Sequence, residues 1–501
     1  YREKKKQLDL VRTTEKEGFP FASHFEGSTY DVPADAEWQG EKVSDREVVF
    51  KWSSAELRVS KRYTVLPDDF LIKLEVEFKN LSDKKAEQAL TLMTTSYQDP
   101  SVDADGGMAR MPQEWKASCF VGGELEEKGQ KGLRKKTREW SGSVAWVGFS
   151  HSYFLAAFAP KVIDEDSRFT CRAAPASGRK GAMVASLEFP AITLSPGDPS
   201  YTWSTTAFFG PKYSDKLDNI DNVVGYKTQL REAVDLGFFE IIARPLLSVL
   251  KWFYSYVGNW GIAIILLTLM VKLLLLPWTH KSMKSMKKMS VLAPRMKEIQ
   301  ARFKEDKAAQ QAAILALYKQ EGVNPLSGCL PMLLQMPIWF ALYRMLMYAA
   351  ELYNAPFVPG WVNDLTAPDP IYILPVLLVI VMFVQAKFTP ATGDGLQQKM
   401  LKYGMPLMFG GMAFMFPAGL TLYIFTNTLL TSVHHVILRR GDHGAKAAKP
   451  AAKAEEKTSE PEPPSAPAAD KTSSSSESTG KQGGPAKKKK SKKKSKKGKR
   501  R

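Results

Sequence analysis

The 501 residues carry 70 Lys and Arg against 52 Asp and Glu, a formal net charge of +18, with 44% hydrophobic residues and a mean hydropathy of -0.24. These averages exclude a single small core and describe no part of the chain well: apolar residues concentrate in blocks between Gly261 and Leu438, and ten lysines and two arginines lie in the sixteen residues from Ala486 to Arg501. Three cysteines, Cys119, Cys171 and Cys329, show no metal-ligand spacing, and their odd number excludes a fully paired intrachain framework; Cys119 and Cys171 are left as either a pair in an oxidising compartment or two partly buried thiols.

No initiator Met and no apolar segment occur in the first forty residues. An exported amino-terminal domain needs a targeting segment, so the sequence is expected to start inside a longer protein. From about Phe19 to Phe209, period-two alternation broken by Gly, Pro, Asn and Asp predicts strands over Glu47–Lys51, Leu57–Val65, Leu71–Phe78, Val144–Phe149, Tyr153–Phe158, Met183–Phe189 and Tyr201–Phe208. Short strands spaced by turn signals predict a large antiparallel β-sandwich, supersandwich-like, over residues 1–234. His24 and His151 stand alone in it, with no metal or nucleophile constellation around them.

Between Asp235 and Val257 the period changes. Phe238, Ile241, Ile242, Leu246, Val249, Leu250, Trp252 and Phe253, edged by Arg244 and Lys251, predict an amphipathic helix lying in a bilayer interface. Apolar blocks then follow at about 260–278, 326–350, 371–388, 403–416 and 419–438, the last two separated by the turn signal Phe416-Pro-Ala-Gly419. The first three approach the ~20 residues that cross a bilayer, and the last two are short enough to require thinning. Five spans are therefore expected within residues 258–440.

The loops set an orientation. Lys281–Lys319 carries ten Lys and Arg, whereas Glu351–Pro370 carries none; Lys387, Lys399 and Lys402 mark the next loop, and Arg439 and Arg440 follow the last block. Positive charge marks the cytoplasmic side, which places the β-domain outside and the tail inside. The segment 279–323 predicts a cytoplasmic two-helix hairpin broken near Pro294 or around Lys304–Lys307. Residues 441–501 lack large apolar side chains and predict a disordered, Lys-rich tail.

Lys272 is a lone cation inside the first apolar block. Such a group costs roughly 2.5 to 3.5 kcal/mol on translocon scales and either faces a wet cavity or snorkels to the headgroups. Gln335, Gln385, Tyr423, Thr426 and Asn427 add polar groups to the other blocks, and no Asp or Glu lies inside any of them. A cation among amides and hydroxyls, with no counter-ion, suits a pocket attracting an acidic segment; it does not suit a proton relay. A transporter would call for internal repeats, which are not visible. An envelope enzyme or carbohydrate-binding protein would call for a carboxylate or metal constellation on the β-domain, and none is found. No Walker pattern occurs, and neither enzymatic activity nor a cofactor is expected.

Gly258-Asn-Trp-Gly261, Leu276-Pro-Trp-Thr279, Ala316-Leu-Tyr-Lys319, Gly328-Cys-Leu-Pro331, Gln335-Met-Pro-Ile338, Tyr372-Ile-Leu-Pro375, Gln397-Gln-Lys-Met400 and Phe416-Pro-Ala-Gly-Leu-Thr-Leu-Tyr423 resemble, in sequence and order, the YidC/Oxa family. The resemblance covers roughly Asp235–Leu438, and the β-domain more loosely resembles the periplasmic domain of its Gram-negative members. It implies a five-helix core in a bacterial inner membrane, enclosing a hydrophilic groove that helps nascent membrane proteins enter the lipid bilayer, alone or beside a Sec translocon. Lys272 stands where the family usually has Arg, Thr268, Gln335 and Gln385 match polar positions, Tyr423 and Asn427 complete the groove set, and Ile424 falls where an aromatic residue is common. The family's substrate slide maps onto the second and fourth spans, with Cys329, Met336, Pro337 and Trp339 as candidates. The function so implied makes the ribosome the expected partner of the tail, through Lys487, Lys488, Lys489, Lys490, Lys492, Lys493, Lys494, Lys496, Lys497, Lys499, Arg500 and Arg501; anionic lipid is the competing target.

Overall fold

In the segment Leu71–Asn80, Leu74, Val76 and Phe78 are buried in one core while Lys73, Glu75 and Glu77 lie toward the opposite side, the side that Leu71 shares. This is the pattern of a strand with one face in a core. A computed structural model of the chain describes residues 13–14, 20–67, 70–100, 114–162, 168–323, 326–388 and 399–447.

That strand is β5 of a nine-stranded antiparallel sheet. Its spatial order is β2 (Gln39–Ser44), β3 (Glu47–Ser53), β4 (Leu57–Leu66), β5, β16 (Tyr201–Pro211), β12 (Phe154–Pro160), β11 (Val144–Ser150), β8 (Lys116–Val121), β9 (Glu124–Lys128). A five-stranded sheet, β1 (Ala22–His24), β7 (Thr91–Tyr97), β14 (Ala182–Glu188), β13 (Phe169–Pro175), β10 (Arg138–Gly142), contributes to the same core, and β6 (Ala86–Gln88) pairs with β15 (Ile192–Leu194). Phe78, Phe149, Phe158, Phe169 and Trp203 fill this core.

The nine-stranded sheet has a second buried face. Trp146, Leu155, Ala157 and Phe208 pack into a different cluster, with Leu217, Ile220 and Leu230 of the segment that leaves the sheet, and the Trp146 indole donates to the Gln229 carbonyl at 3.1 Å. Lys212, directly after β16, is fully enclosed there, its ammonium donating to Ser150 Oγ (2.7 Å) and the Ala233 carbonyl (2.8 Å). Burial pushes its pKa down to about 8. A lysine whose folded pKa lies below its unfolded value, about 10.4, destabilises the fold while charged, and the penalty fades as pH rises from about 8 toward 10. The urea midpoint of wild type is therefore expected to rise over that range, and Lys212→Met is expected to flatten the rise.

Helices take over after β16: α1 (Gln130–Leu133) is a single turn within the β-region, followed after the sheet by α2 (Ser214–Val224), α3 (Glu240–Val257), α4 (Trp260–Val291), α5 (Ala293–Arg302), α6 (Lys307–Gln320), α7 (Leu326–Tyr348), α8 (Ile373–Phe388), α9 (Met405–Ala413) and α10 (Ala418–Ala447). A large antiparallel β-region followed by a helical region is the architecture expected from the sequence. Details differ. The amphipathic helix starts at Glu240, because Gly237 takes a positive φ and Asp235 accepts from the Gly237 N–H in a local turn. The first apolar helix does not stop at Trp278 but continues through Pro277 to Val291, with the Thr279 hydroxyl bonding the carbonyls of Leu275 and Leu276. The segment breaks at both of the places given as alternatives, near Pro294, which opens α5, and at Phe303–Asp306, where Asp306 caps α6 by accepting from the N–H groups of Ala308 and Ala309.

Among the described residues one helical segment, Trp260–Ser282, is long and apolar enough to cross a membrane, and Ile373–Lys387 is a shorter apolar helix. The fourth expected span, 403–416, is a nine-residue α-helix entered through a π-helical turn at Met400–Gly404. The expected disordered tail lies outside the described residues apart from the end of α10.

Candidate functional site

The site begins with the joints that hold the helices. Gly258 ends α3 in a left-handed conformation, its N–H returning to the Tyr254 carbonyl. Asn259 then caps α4, its Oδ1 accepting from Ile262 N at 3.0 Å while its amide donates to the Phe357 carbonyl. Trp260 stacks on Tyr254 with ring centroids 3.9 Å apart, and a Cβ on Gly261 would collide with the Phe357 ring. Each residue of Gly258-Asn-Trp-Gly261 thus has a steric or hydrogen-bonding task.

The loop from Tyr353 to Tyr372 caps α8 and α10 and, through the Phe357 carbonyl, meets the start of α4. Asp369, almost wholly buried, accepts from Trp361 Nε1 (2.8 Å) and from the Leu374 N–H at the start of α8 (2.8 Å). The first donors of α10 are met by carbonyls of that loop, Ala418 N to Ala367 O and Gly419 N to Leu365 O. β12 docks on this cap, with Tyr153 and Phe154 against Tyr353.

Below the cap, polar groups of three helices meet. Thr268 on α4 is buried and bonds back to the Ile264 carbonyl. One turn on, Lys272 is half-buried and its Nζ donates to Thr431 Oγ1 on α10 at 2.8 Å; Thr431 in turn donates to the Asn427 carbonyl. Gln335 on α7 donates to Asn427 Oδ1 at 2.9 Å, and the buried Tyr423 lies one turn before Asn427 on α10. Tyr423, Asn427, Thr431 and His434 fall at i, i+4, i+8 and i+11, one face of α10. His434 stacks on His280 of α4, 5.9 Å away. Among the described residues no carboxylate pairs with Lys272.

Five of the six expected groove residues therefore lie on the three helices that form this cluster. Lys272, Gln335 and Asn427 join through hydrogen bonds that include the unforeseen Thr431, Tyr423 lies one turn from Asn427 on α10, and Thr268 stands one turn above Lys272 on α4. Gln385 is half-buried on α8. Thr426, also flagged in the sequence, is buried on α10. The signal for Thr431 and His434 was present, since both extend the helical spacing that begins at Tyr423. Of the slide candidates, Met336 is exposed, Pro337 and Trp339 are half-buried, Trp339 stacks on Tyr343, and the side chain of Cys329 lies outside the described residues. α9 adds exposed Met405, Leu407 and Met408, followed by Phe414 and Met415. The basic tail residues from Lys487 to Arg501 lie outside the described residues.

A second polar cluster was not foreseen. Lys251 of α3 pairs with Glu351 (2.7 Å) and Asp215 (3.2 Å), and Glu351 also accepts from the Ser214 N–H and hydroxyl. Burial lowers the Lys251 pKa, but the two carboxylates outweigh it and hold the ammonium above its ordinary value. Arg344 of α7 meets Asp235, ahead of α3, at 3.2 Å.

Comparison with known proteins agrees with this architecture. The family described as YidC periplasmic domain matches residues 1–249, and the family described as 60Kd inner membrane protein matches residues 252–445. The membrane protein insertase YidC of Anaeromyxobacter sp. (strain K) is 34% identical over 455 residues, 88% of this chain and 79% of the relative; that of Anaeromyxobacter dehalogenans (strain 2CP-C) is 35% identical over 453 residues, with the same coverage. A crystal structure of an active YidC insertase with its first transmembrane domain resolved aligns with 83% of this chain and 82% of its own, at 21% identity and a TM-score of 0.37. On the strength of the sequence matches, the chain belongs to the family of the membrane protein insertase YidC.

Proposed function

We propose that this chain inserts membrane proteins into a bacterial inner membrane by lending the polar end of a nascent segment a cationic, hydrogen-bonding path between α4, α7 and α10. The observation that carries the proposal is Lys272, held inside an apolar helix by the hydroxyl of Thr431 and left without a carboxylate among the described residues. An acidic client residue supplies the missing anion. The amides and hydroxyls of Gln335, Tyr423, Asn427 and Thr431 substitute for water around the passing backbone, whose unsatisfied groups would otherwise cost several kcal/mol each in hydrocarbon.

The apolar part of the client leaves along the exposed side chains of α7 and α9. Met336, Met405 and Met408 suit varied partners because an unbranched thioether adapts its shape. The apolar blocks make five spans, and the distribution of Lys and Arg in the loops puts the β-domain in the periplasm and the tail in the cytoplasm. Hydrophobic partitioning and the membrane potential, worth about 2.3 kcal/mol per charge per 100 mV, drive the transfer, alone or beside a Sec translocon. A photoreactive residue replacing Met336 is expected to crosslink to the apolar segment of a stalled client, and one replacing Val43 on an edge strand is not; equal labelling would remove the slide.

The tail recruits ribosomes through its twelve cationic residues between Lys487 and Arg501. Truncation after Pro485 is expected to lower ribosome co-sedimentation at least tenfold at low salt, with little change in binding to neutral vesicles. Every phosphate that the shortened chain leaves unneutralised keeps its counter-ions, and their release no longer favours binding. Unchanged co-sedimentation would assign the tail to lipid.

A further inference from the structure

Two thiols meet inside the β-domain. Cys119 lies on β8 of the nine-stranded sheet and Cys171 on β13 of the five-stranded sheet; both are buried, at 0 and 1% exposure, in the core between the sheets. Both belong to the same packed cluster of side chains, and their strands, β8 and β13, contact each other across the core. Of the two arrangements that the sequence left open, the fold places both residues in the one core between the sheets, on strands that face each other across it, and a disulfide can close there where the two Cα atoms come within about 7 Å.

We propose that Cys119 and Cys171 form a disulfide that ties the two sheets together in the mature protein. The proposal rests on the periplasmic placement of the β-domain, since dithiols that meet in that compartment are oxidised and stay so. The co-reactant is a disulfide oxidant of the thiol oxidoreductase class. The thiolate of one cysteine attacks a sulfur of the oxidant's disulfide, giving a mixed disulfide and releasing one oxidant thiolate; the second cysteine's thiolate then attacks the mixed disulfide at the protein sulfur and releases the other. Two protons and two electrons leave the cysteine pair, and the oxidant becomes a dithiol. Closure of the sandwich buries both sulfurs and pushes the Cys171 thiol up, disfavouring its thiolate, so exchange precedes completion of the core. Once formed, the bond is shielded from reductants by the same core.

The test counts thiols in the full chain. Cells are quenched in acid, and the protein is denatured and labelled with a mass-tagged maleimide, with and without prior reduction. One tag, on Cys329, is expected without reduction and three after it; Cys119→Ser and Cys171→Ser are each expected to carry two tags either way. Three tags without reduction, or a nonreducing dimer lost in either serine variant, would overturn the proposal. Treating the solubilised three-tag protein with copper–phenanthroline then separates the causes of failure. A fall to one tag means that the sulfurs are in reach but the domain is not in an oxidising compartment, whereas no fall means that they are not in reach.

Discussion

Lys272→Ala and Lys272→Met are expected to lower insertion of a single-span client with an acidic leading tail at least tenfold, while Lys272→Arg retains most of it. Carrying one ionised carboxylate to the centre of a membrane helix costs on the order of 2.5 to 3.5 kcal/mol on translocon scales. A cation in that path offsets much of the cost, and about 1.4 kcal/mol of lost offset already corresponds to a factor of ten. The methionine variant keeps an apolar stem reaching from α4 toward α10, so it separates loss of charge from loss of packing. Arginine keeps the charge and can still donate to Thr431, although its planar fork differs from the compact ammonium. A client with a neutral tail is expected to be insensitive to all three changes. If Lys272→Met inserted the acidic client as well as wild type does, Lys272 would be a snorkelling residue.

The second large effect concerns the joint between the β-domain and the helices. Glu351→Ala is expected to destabilise the protein by about 3 kcal/mol, the lower end for breaking a buried ion pair. The Glu351 side chain is 8% exposed and is the common acceptor for Lys251 and for the N–H and hydroxyl of Ser214. Its removal strands a cation that is itself three-quarters covered, although Asp215 remains as a weaker partner and keeps the loss from the upper end. The double variant Lys251→Met/Glu351→Leu is expected to recover most of the stability, because replacing a whole buried pair by apolar groups is often neutral. Urea midpoints of the four proteins close a double-mutant cycle, and additive losses would mean that the two residues do not act together. Insertion activity is expected to fall with the loosening of α3 from α7 even where the fold survives, which an insertion assay below the unfolding midpoint reads directly.

Both effects differ in how visible they were beforehand. Lys272 stood out because an ionisable side chain in an apolar run carries a cost that needs a reason, and amides in the neighbouring blocks stood out likewise. Threonine carries little such signal, since its hydroxyl can bond back along its own helix as Thr268 does, and Thr431 was missed although it extends the spacing of Tyr423 and Asn427. The Lys251–Glu351–Ser214 joint was illegible for a different reason: Ser214 and Glu351 are 137 residues apart, and no local pattern links them. Their charges read singly as a helix edge and a loop.

The strands divide in the same way. Within β5, Leu74–Phe78 alternates cleanly because one face meets the core. β11, expected over Val144–Phe149, forms there although it is buried on both faces, with Trp146 toward the helices and Val147 toward the five-stranded sheet, and a bulge between Val144 and Trp146 breaks its register. β2 is exposed along its whole length, so its Gln, Glu, Lys and Ser give no periodicity at all, and only pairing with β3 makes it a strand. The first apolar block was bounded at 278, whereas its helix runs on through Pro277 to Val291, because proline removes one donor but does not forbid continuation when neighbouring bonds persist.

The most direct test of the central claim is insertion of the acidic-tailed single-span client into vesicles holding the purified wild-type protein, against empty vesicles and against the same client with a basic tail. The geometry around Lys272 predicts insertion well above empty vesicles, with the acidic tail favoured over the basic one. Insertion no greater than in empty vesicles, or no discrimination between the tails, would contradict it.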